Sequence, residues 1–114
     1  MITQNTLDAV RDYVAGLASR GEVGTGTTSP SVGDTSLESP ISGTKKALTE
    51  TRTDGNIITF VYNLGASEAN GYDITEFGLW DGDLLSRIVF SATSKTSDIS
   101  FEIQYAIELS QENL

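Results

Sequence analysis

The run from Ile99 to Leu109 constrains the fold of this chain more than any other stretch of its sequence. Apolar side chains occupy every second position, and polar or small side chains lie between them. A period of two over this length predicts a long β-strand with one apolar face and one face in water. The apolar face consists of Ile99, Phe101, Ile103, Tyr105, Ile107 and Leu109.

A second strand is predicted from Ile57 to Leu64, where both alternating sides are largely apolar. Strands of this kind are typical of the middle of a sheet. A weaker alternation from Lys46 to Thr53 precedes it, and Asp54-Gly55 between the two runs is a strong hairpin signal. We therefore expect a hairpin closed by a type I′ turn, which requires positive φ at both central residues.

The segment from Ile74 to Phe90 predicts a second hairpin, closed by a two-residue turn at Gly82-Asp83. A three-residue loop would shift the register by one residue and exchange the two faces. The predicted pairs are Phe77 with Ile88, Thr75 with Phe90, Gly78 with Arg87, and Trp80 with Leu85. The second face of this hairpin is more apolar than a free surface needs to be, so we expect something to cover it. Its side chains are Glu76, Trp80, Leu85, Arg87 and Val89.

An amphipathic helix is predicted from Asn5 to Ala18, because its apolar residues fall on one arc at a period of 3.6. Asn5 fits the N-cap position, and Gly21 fits the stop. A helix this short is marginal alone, so its apolar arc must dock on its own domain or on a neighbouring subunit. The arc consists of Leu7, Val10, Tyr13, Val14 and Leu17.

Residues 21–43 contain both prolines and five of the glycines, which argues against a long periodic element there. A structureless segment of about 20 residues is uncommon in a compact domain, so we expect Glu22 to Thr27 to form an edge strand. The strands, turns and single helix predict a mainly β fold, a small antiparallel β-sandwich with one N-terminal amphipathic α-helix. Residues 1–20 are assigned to the helix region and residues 21–114 to one β-sandwich domain.

The composition excludes most enzyme chemistries. The 114 residues include 7 basic and 16 acidic side chains but no histidine and no cysteine. The absence of histidine excludes histidine-based catalysis. The absence of cysteine excludes thiolate nucleophiles and metal sites with thiolate ligands. Chance carboxylate pairs are abundant and a deep cleft is rare in so small a domain, so we expect no enzyme and no cofactor. The net charge of −9 repels phosphate, and the apolar runs are too short for a bilayer. We therefore expect no nucleic-acid partner, no membrane insertion and no signal peptide.

Two small motifs leave alternatives open. Asp81-Gly82-Asp83 fits a hairpin turn, and its two carboxylates also suit a hard cation such as calcium, although an EF-hand needs further ligands. Trp80 fits ordinary packing, and together with Tyr72 it could stack on a sugar. The glycine run that follows Val23 lacks the Gly-Lys-Ser/Thr ending of a phosphate loop.

Three segments of the chain carry a family resemblance. They read ITQNTLDAVRDYVAG, VGTGTTSPSVGDTSLESPI and YDITEFGLWDGDLLSRIVF. Together they resemble a group of bacteriophage and archaeal-virus tail-fibre or tail-collar-type virion proteins. The matching positions are Val23 to Pro30, Asp34, Thr35, Leu37, Ile74 to Asp81 and Leu84 to Phe90.

The resemblance implies a virion structural protein without enzymatic activity, a tail, collar, baseplate or fibre-associated subunit located in the virion. It implies action through a homo-oligomer, a trimer by analogy with fibres, with other tail or capsid proteins and a host-surface receptor for attachment as further partners. A head decoration or vertex protein is the alternative within this class. A carbohydrate-binding module for host-surface recognition is the alternative outside it.

The interface is predicted from an excess of apolar surface. The helix arc, the second face of the later hairpin and the isolated apolar residues of 21–43 exceed what one small sandwich buries, and patches of this kind mark subunit contacts. The candidate interface residues are Leu7, Val10, Tyr13, Val14, Leu17, Val23, Val32, Leu37, Trp80, Leu85 and Val89.

Overall fold

A computed structural model describes residues 1–111, so the last three residues of the predicted domain, 112–114, lie outside the described residues. Within this range the chain forms one helix and seven strands. They are α1 (Gln4–Leu17), β1 (Arg20–Gly24), β2 (Lys46–Ala47), β3 (Glu50–Asp54), β4 (Ile57–Leu64), β5 (Asp73–Trp80), β6 (Leu84–Ser94) and β7 (Phe101–Glu108).

The strands form two antiparallel sheets that share one core, which confirms the predicted mainly β sandwich with an N-terminal helix. One sheet has the order β2-β1-β5-β6 and the other β3-β4-β7. β4 lies in the middle of its sheet, as its two apolar sides predict. Along β7 the residues alternate between half-buried and exposed, which confirms the predicted single wet face. The strand begins two residues later than the alternation, because Ile99 donates its N–H to Thr96 in a turn.

The core lies between the sheets and is centred on aromatic rings. Tyr62 of β4 and Phe77 of β5 meet edge to face with ring centroids 5.4 Å apart. Gly21 of β1 lies directly against both rings, and a Cβ atom at this position would collide with Tyr62. The other buried apolar members are Ala18, Val23, Ile41, Ile58, Phe60, Leu64, Ile74 and Leu79.

The hairpin between β3 and β4 turns one residue later than predicted. Asp54 pairs with Ile57, so the central residues are Gly55 and Asn56. Gly55 has a φ of 58° and Asn56 is not among the residues with positive φ. Positive φ at the first central residue alone fits a type II′ turn, so the predicted type I′ turn is wrong.

The hairpin between β5 and β6 keeps part of the predicted register. Phe77 lies opposite Ile88, and Gly78 lies opposite Arg87, as predicted. Trp80 pairs with Leu84 instead of Leu85, because a register shift between Leu79 and Trp80 accommodates a three-residue loop without exchanging the faces. A second irregularity between Ile74 and Glu76 interrupts the ladder where Thr75 was expected to pair with Phe90.

α1 docks on its own domain. Arg11 donates to the carbonyl oxygen of Gly55 at 3.0 Å, and Gln4 donates to the side chain of Asn56 at 3.0 Å. Thr3, not Asn5, occupies the N-cap position, since its carbonyl accepts the first helical bond from Leu7. No helical segment within residues 1–111 has the length and apolarity that crossing a membrane requires.

β1 is an interior strand, which corrects the predicted edge strand at Glu22 to Thr27. It pairs with β5 on one side and with β2 on the other. The weak alternation from Lys46 onward divides into β2 and β3, which belong to different sheets. Between them Leu48 bonds to Ser19 and Thr49 bonds to Val61, so the chain crosses from one sheet to the other here.

Candidate functional site

Two of the three segments that carry the resemblance meet at one salt-bridge network, which we call the Glu76 cluster. It consists of the side chains of Asp34, Glu76 and Arg87. Arg87 Nε donates to Glu76 Oε1 at 2.8 Å, and Arg87 Nη1 donates to Asp34 Oδ2 at 3.2 Å. The Glu76 and Arg87 side chains are 0% and 4% exposed. The cluster joins β5 and β6 to the loop that follows β1.

Glu76 also holds the backbone of that loop, residues 25–41, here called the Gly-rich segment. Its Oε2 accepts N–H bonds from Gly26 and Ser39, both at 2.8 Å, and its Oε1 accepts one from Glu38 at 3.0 Å. A single carboxylate therefore fixes both limbs of the segment against the sheet. Buried carboxylates are stable only when their oxygens are satisfied in this way.

The glycine spacing of the motif follows from this carboxylate. A Cβ atom on Gly24 or on Gly26 would lie 2.5 Å from Glu76 Oε2. The Cβ on Gly24 would also lie 2.5 Å from the carbonyl oxygen of Ser39. Only glycine at both positions lets the backbone approach the carboxylate this closely.

Leu37 extends the contact with an apolar anchor. Its side chain is 2% exposed and packs over Gly78, where an added Cβ atom would lie 2.8 Å from Leu37 Cδ2. The Gly-rich segment thus covers the face of the β5–β6 hairpin on which Glu76 and Arg87 lie. That face was expected to be covered, and the cover comes from the same chain.

A third carboxylate organises the start of the segment. Glu38 accepts backbone N–H bonds from Thr27 at 2.8 Å and from Thr28 at 3.1 Å, and it also accepts the Thr28 hydroxyl. The Thr28 hydroxyl and these N–H groups lower the pKa of Glu38. The carboxylate is therefore held in its charged form.

Glu76 and Arg87 are both charged at neutral pH. Burial raises the pKa of Glu76, but the bonds from Arg87 and from three backbone N–H groups outweigh it, and the net pKa is lowered. The hydrogen bond to Glu76 in turn raises the pKa of Arg87. Neither group is poised to exchange a proton near pH 7, so this pair is suited to holding structure.

A cavity of about 340 Å³ lies beside the cluster. Its lining is polar, with hydroxyl groups, the Asp34 and Glu38 carboxylates and the edge of the Arg87 guanidinium. Arg87 Nη2 is buried and makes no hydrogen bond with residues 1–111. Two carboxylates against one arginine, itself already paired, make this cavity unfavourable for an anion.

Trp80 belongs to the interior of the protein. It is 8% exposed, its Nε1 donates to Glu22 Oε1 at 3.1 Å, and Lys45 Nζ lies 3.4 Å from the ring centroid. Burial raises the pKa of Glu22, against the opposing effects of Lys45 and of the Trp80 hydrogen bond. Because one ring face is covered by Lys45, Trp80 does not offer a sugar-stacking platform. Tyr72, the other predicted stacking residue, is 47% exposed.

The Asp81-Gly82-Asp83 loop has the hydrogen bonding of a turn. Asp81 Oδ1 accepts the N–H of Asp83 at 2.7 Å, as in an Asx turn. Across residues 1–111, no three carboxylates come together in a way that could hold a metal ion.

The predicted interface residues fall into three groups. Three of them were expected at the surface and are buried in the single chain, which corrects that expectation: Val23, Leu37 and Trp80. Four are partly buried: Leu7, Val14, Leu17 and Val89. Four are exposed, with exposed fractions of 45%, 70%, 110% and 41%: Val10, Tyr13, Val32 and Leu85.

Two neighbouring cavities share Leu85. An open cleft of about 180 Å³ runs between α1 and the β5–β6 hairpin, with Val14 and Leu17 on one side and Leu85 on the other. Leu85 and Val32 together line a neighbouring cavity next to Arg87. The structure thus brings four predicted interface residues to one side of the molecule.

Lys95 is a buried residue that sequence reasoning missed. It is 1% exposed, and its ammonium group donates to the carbonyls of Ala66 and Thr96 and to Asn70 Oδ1 at 2.8–3.2 Å. It ties the loop after β4 to the end of β6. The polar sequence around it resembles an ordinary surface turn and gives no signal of this burial.

Comparison of the chain with protein-family models finds no match, and comparison with curated proteins finds no significant similarity.

Proposed function

We propose that this protein is a virion structural subunit without enzymatic activity, associated with the tail, collar, baseplate or fibre of a tailed virus. The observation that carries the proposal is the meeting of two of the three resemblance segments in the Glu76 cluster. Gly24, Gly26 and Asp34 from one segment contact Glu76 and Arg87 from the other. The residues shared with that group therefore form one physical unit.

That unit builds a surface instead of a reactive centre. Its buried charges are paired, and its Gly-rich segment is fixed at both limbs, so the segment presents a defined outer surface. Val32 stands fully exposed at the tip of this segment. A rigid scaffold that displays apolar residues is suited to repeated contacts between subunits.

Apolar residues near Leu85 add support for assembly. Leu85 lines the cleft together with Val14 and Leu17, and it lines the neighbouring cavity together with Val32. Exposed apolar groups that lie together are more typical of contacts between proteins than of a surface that faces water throughout. We propose that the protein acts as a homo-oligomer that also contacts other virion proteins.

Gene order around the coding sequence tests this proposal. Neighbouring tail, collar or baseplate genes would support it, and neighbouring capsid genes would favour a head decoration or vertex protein instead. Immunogold labelling of the purified particles provides the direct check, since the label should decorate the tail or its junction with the head. Particles that lack the protein altogether would overturn both versions.

A further inference from the structure

β7 lies at the edge of its sheet within residues 1–111 and pairs on one side only, with β4. We propose that β7 pairs antiparallel with β7 of a second copy across a two-fold axis, which joins two three-stranded sheets into one of six strands. The inference rests on the proposed function, because it names the contact through which the subunit assembles. A pair across a two-fold axis contains two chains, unlike the trimer suggested by the resemblance.

The other edge strands within residues 1–111 have features that oppose pairing with a further strand. β2 has two residues, β6 departs from regular pairing at two places, and β3 is fully exposed with charges at alternate positions. β7 pairs with β4 through eight consecutive residues without a bulge and contains neither proline nor lysine. Natural proteins blunt long regular edges, so an edge left in this state is available for pairing.

The direction of the backbone groups along β7 follows from its pairing with β4. Leu109 donates its N–H to the carbonyl oxygen of Asn56, in the same register as the pairs of the ladder. In an antiparallel ladder such bonded positions alternate, so odd-numbered residues bond to β4 and even-numbered residues point their N–H and C=O groups outward. The outward residues are Glu102, Gln104, Ala106 and Glu108.

Charge selects the register of the proposed pair. A two-fold axis at Gln104 sets Glu102 of one copy opposite Ala106 of the other. Moving the axis to Tyr105 would set Glu102 opposite Glu108 twice, and like charges directly opposite are destabilising. Moving it to Ile103 avoids that repulsion but shortens the overlap of the strands. The axis at Gln104 therefore combines the longest overlap with no opposed carboxylates.

The same register continues the apolar face of the sheet. It places Phe101 opposite Ile107 and Ile103 opposite Tyr105 of the second copy. All four are only partly buried in the single chain and gain cover from the pairing. Because each copy carries a net charge of −9, added salt should screen the repulsion and strengthen the pairing.

Light scattering after size exclusion over a range of protein concentrations and at low and high NaCl tests the proposal. The wild type should reach the mass of two chains, more readily at high salt. Gln104→Pro removes an outward N–H and leaves the ladder to β4 intact, so it should remain at the mass of one chain. Gln104→Thr keeps the N–H group and should pair like the wild type.

Charge substitutions at Ala106 test the register without introducing a proline. Ala106→Glu faces Glu102 of the second copy and should raise the dissociation constant by roughly fivefold, whereas Ala106→Lys should lower it. Thr51→Glu and Thr51→Lys on exposed β3 change the net charge equally and should have smaller effects. Circular dichroism verifies that each variant is folded.

The outcomes separate this inference from the proposed function. A wild type that stays single at all concentrations, or that forms three-chain particles, overturns the pairing of β7. Gln104→Pro and Ala106→Glu variants that both associate like the wild type overturn it as well, while leaving assembly through another surface in place. Gene order and particle labelling address the virion role whatever the result.

Discussion

Arg87 and Glu76 form a salt bridge of 2.8 Å between Nε and Oε1 in which both side chains are almost completely buried. The pair links neighbouring strands of one sheet, and Glu76 uses its remaining hydrogen-bonding capacity on backbone N–H groups 37, 38 and 50 residues away in sequence. This geometry makes the conformation of the Gly-rich segment depend on one carboxylate.

Replacing Glu76 by alanine should therefore destabilise the protein strongly. The variant leaves three N–H groups without their acceptor and leaves Arg87 with only its 3.2 Å bond to Asp34, and breaking a buried pair costs about 3–5 kcal/mol. Urea unfolding at pH 7 measures the loss. Glu50→Ala is the matched control, because it breaks an exposed pair with Arg52 and should cost less than about 1 kcal/mol. Equal losses in the two variants would contradict the role assigned to Glu76.

Alanine at Gly26 should also destabilise the protein, by about 1–3 kcal/mol, because its Cβ atom would press on Glu76 and on Glu38. The same substitution at Gly16 is the control. Gly16 lies in α1 with nothing within 4 Å of an added Cβ atom, so Gly16→Ala should stabilise the protein by roughly 0.5–1 kcal/mol. Thermal and urea unfolding of the two variants should shift in opposite directions.

The elements of this fold were predictable where one local pattern determines them. The alternation of β7 and the two apolar sides of β4 follow from side-chain period alone. Phe77 pairs with Ile88 as predicted, but through a three-residue loop with a register shift and not through the predicted two-residue turn. The predicted turn at Gly55 and the predicted register next to Trp80 were each wrong by one residue. At both places two pairings that differ by one residue fit the local sequence, and the tertiary environment determines which one forms.

The Glu76 cluster itself could not be derived from local pattern. Its bonds join residues up to 50 positions apart, and neither the alternation of β5 nor the glycines of residues 25–41 specify that contact. The positions quoted for the resemblance include Asp34, Glu76 and Arg87, but the resemblance does not reveal their geometry. For the same reason Val23, Leu37 and Trp80 were expected at the surface, because local pattern does not show that other parts of the same chain bury them.

Acid should destabilise the protein through Glu76. Burial alone would raise the pKa of this carboxyl, but Arg87 and the backbone N–H groups bring it below its ordinary value. A lowered folded-state pKa contributes stability that is present above the unfolded-state pKa of about 4.3 and is lost as pH falls through the folded-state value. Urea unfolding between pH 7 and pH 3 should show this loss, and Glu76→Gln should show a shallower one. An equally steep loss in Glu76→Gln would contradict the assignment.

The contribution of Glu22 to stability should depend on pH in the opposite direction. Burial raises the pKa of Glu22, so its charged form is unfavourable in the folded state. A raised folded-state pKa contributes stability that is full below the unfolded-state pKa and is lost as pH rises through the folded-state value. Glu22→Gln should therefore be more stable than the wild type at pH 7, and the difference should disappear in acid. A variant less stable at pH 7 would show that the charged bond with Trp80 and Lys45 outweighs burial.

Substitutions at Tyr13 and Trp80 should distinguish an effect on assembly from an effect on folding. Trp80 is 8% exposed, so Trp80→Ala should lower the unfolding free energy by about 3–5 kcal/mol. Tyr13 is 70% exposed on α1, so Tyr13→Ser should change the unfolding free energy by less than about 0.5 kcal/mol. If the exposed helix arc contributes to assembly, Tyr13→Ser should nevertheless reduce the mass measured by light scattering at high concentration. A Tyr13→Ser variant that associates like the wild type would remove α1 from the interface and leave the proposed contact to other surfaces.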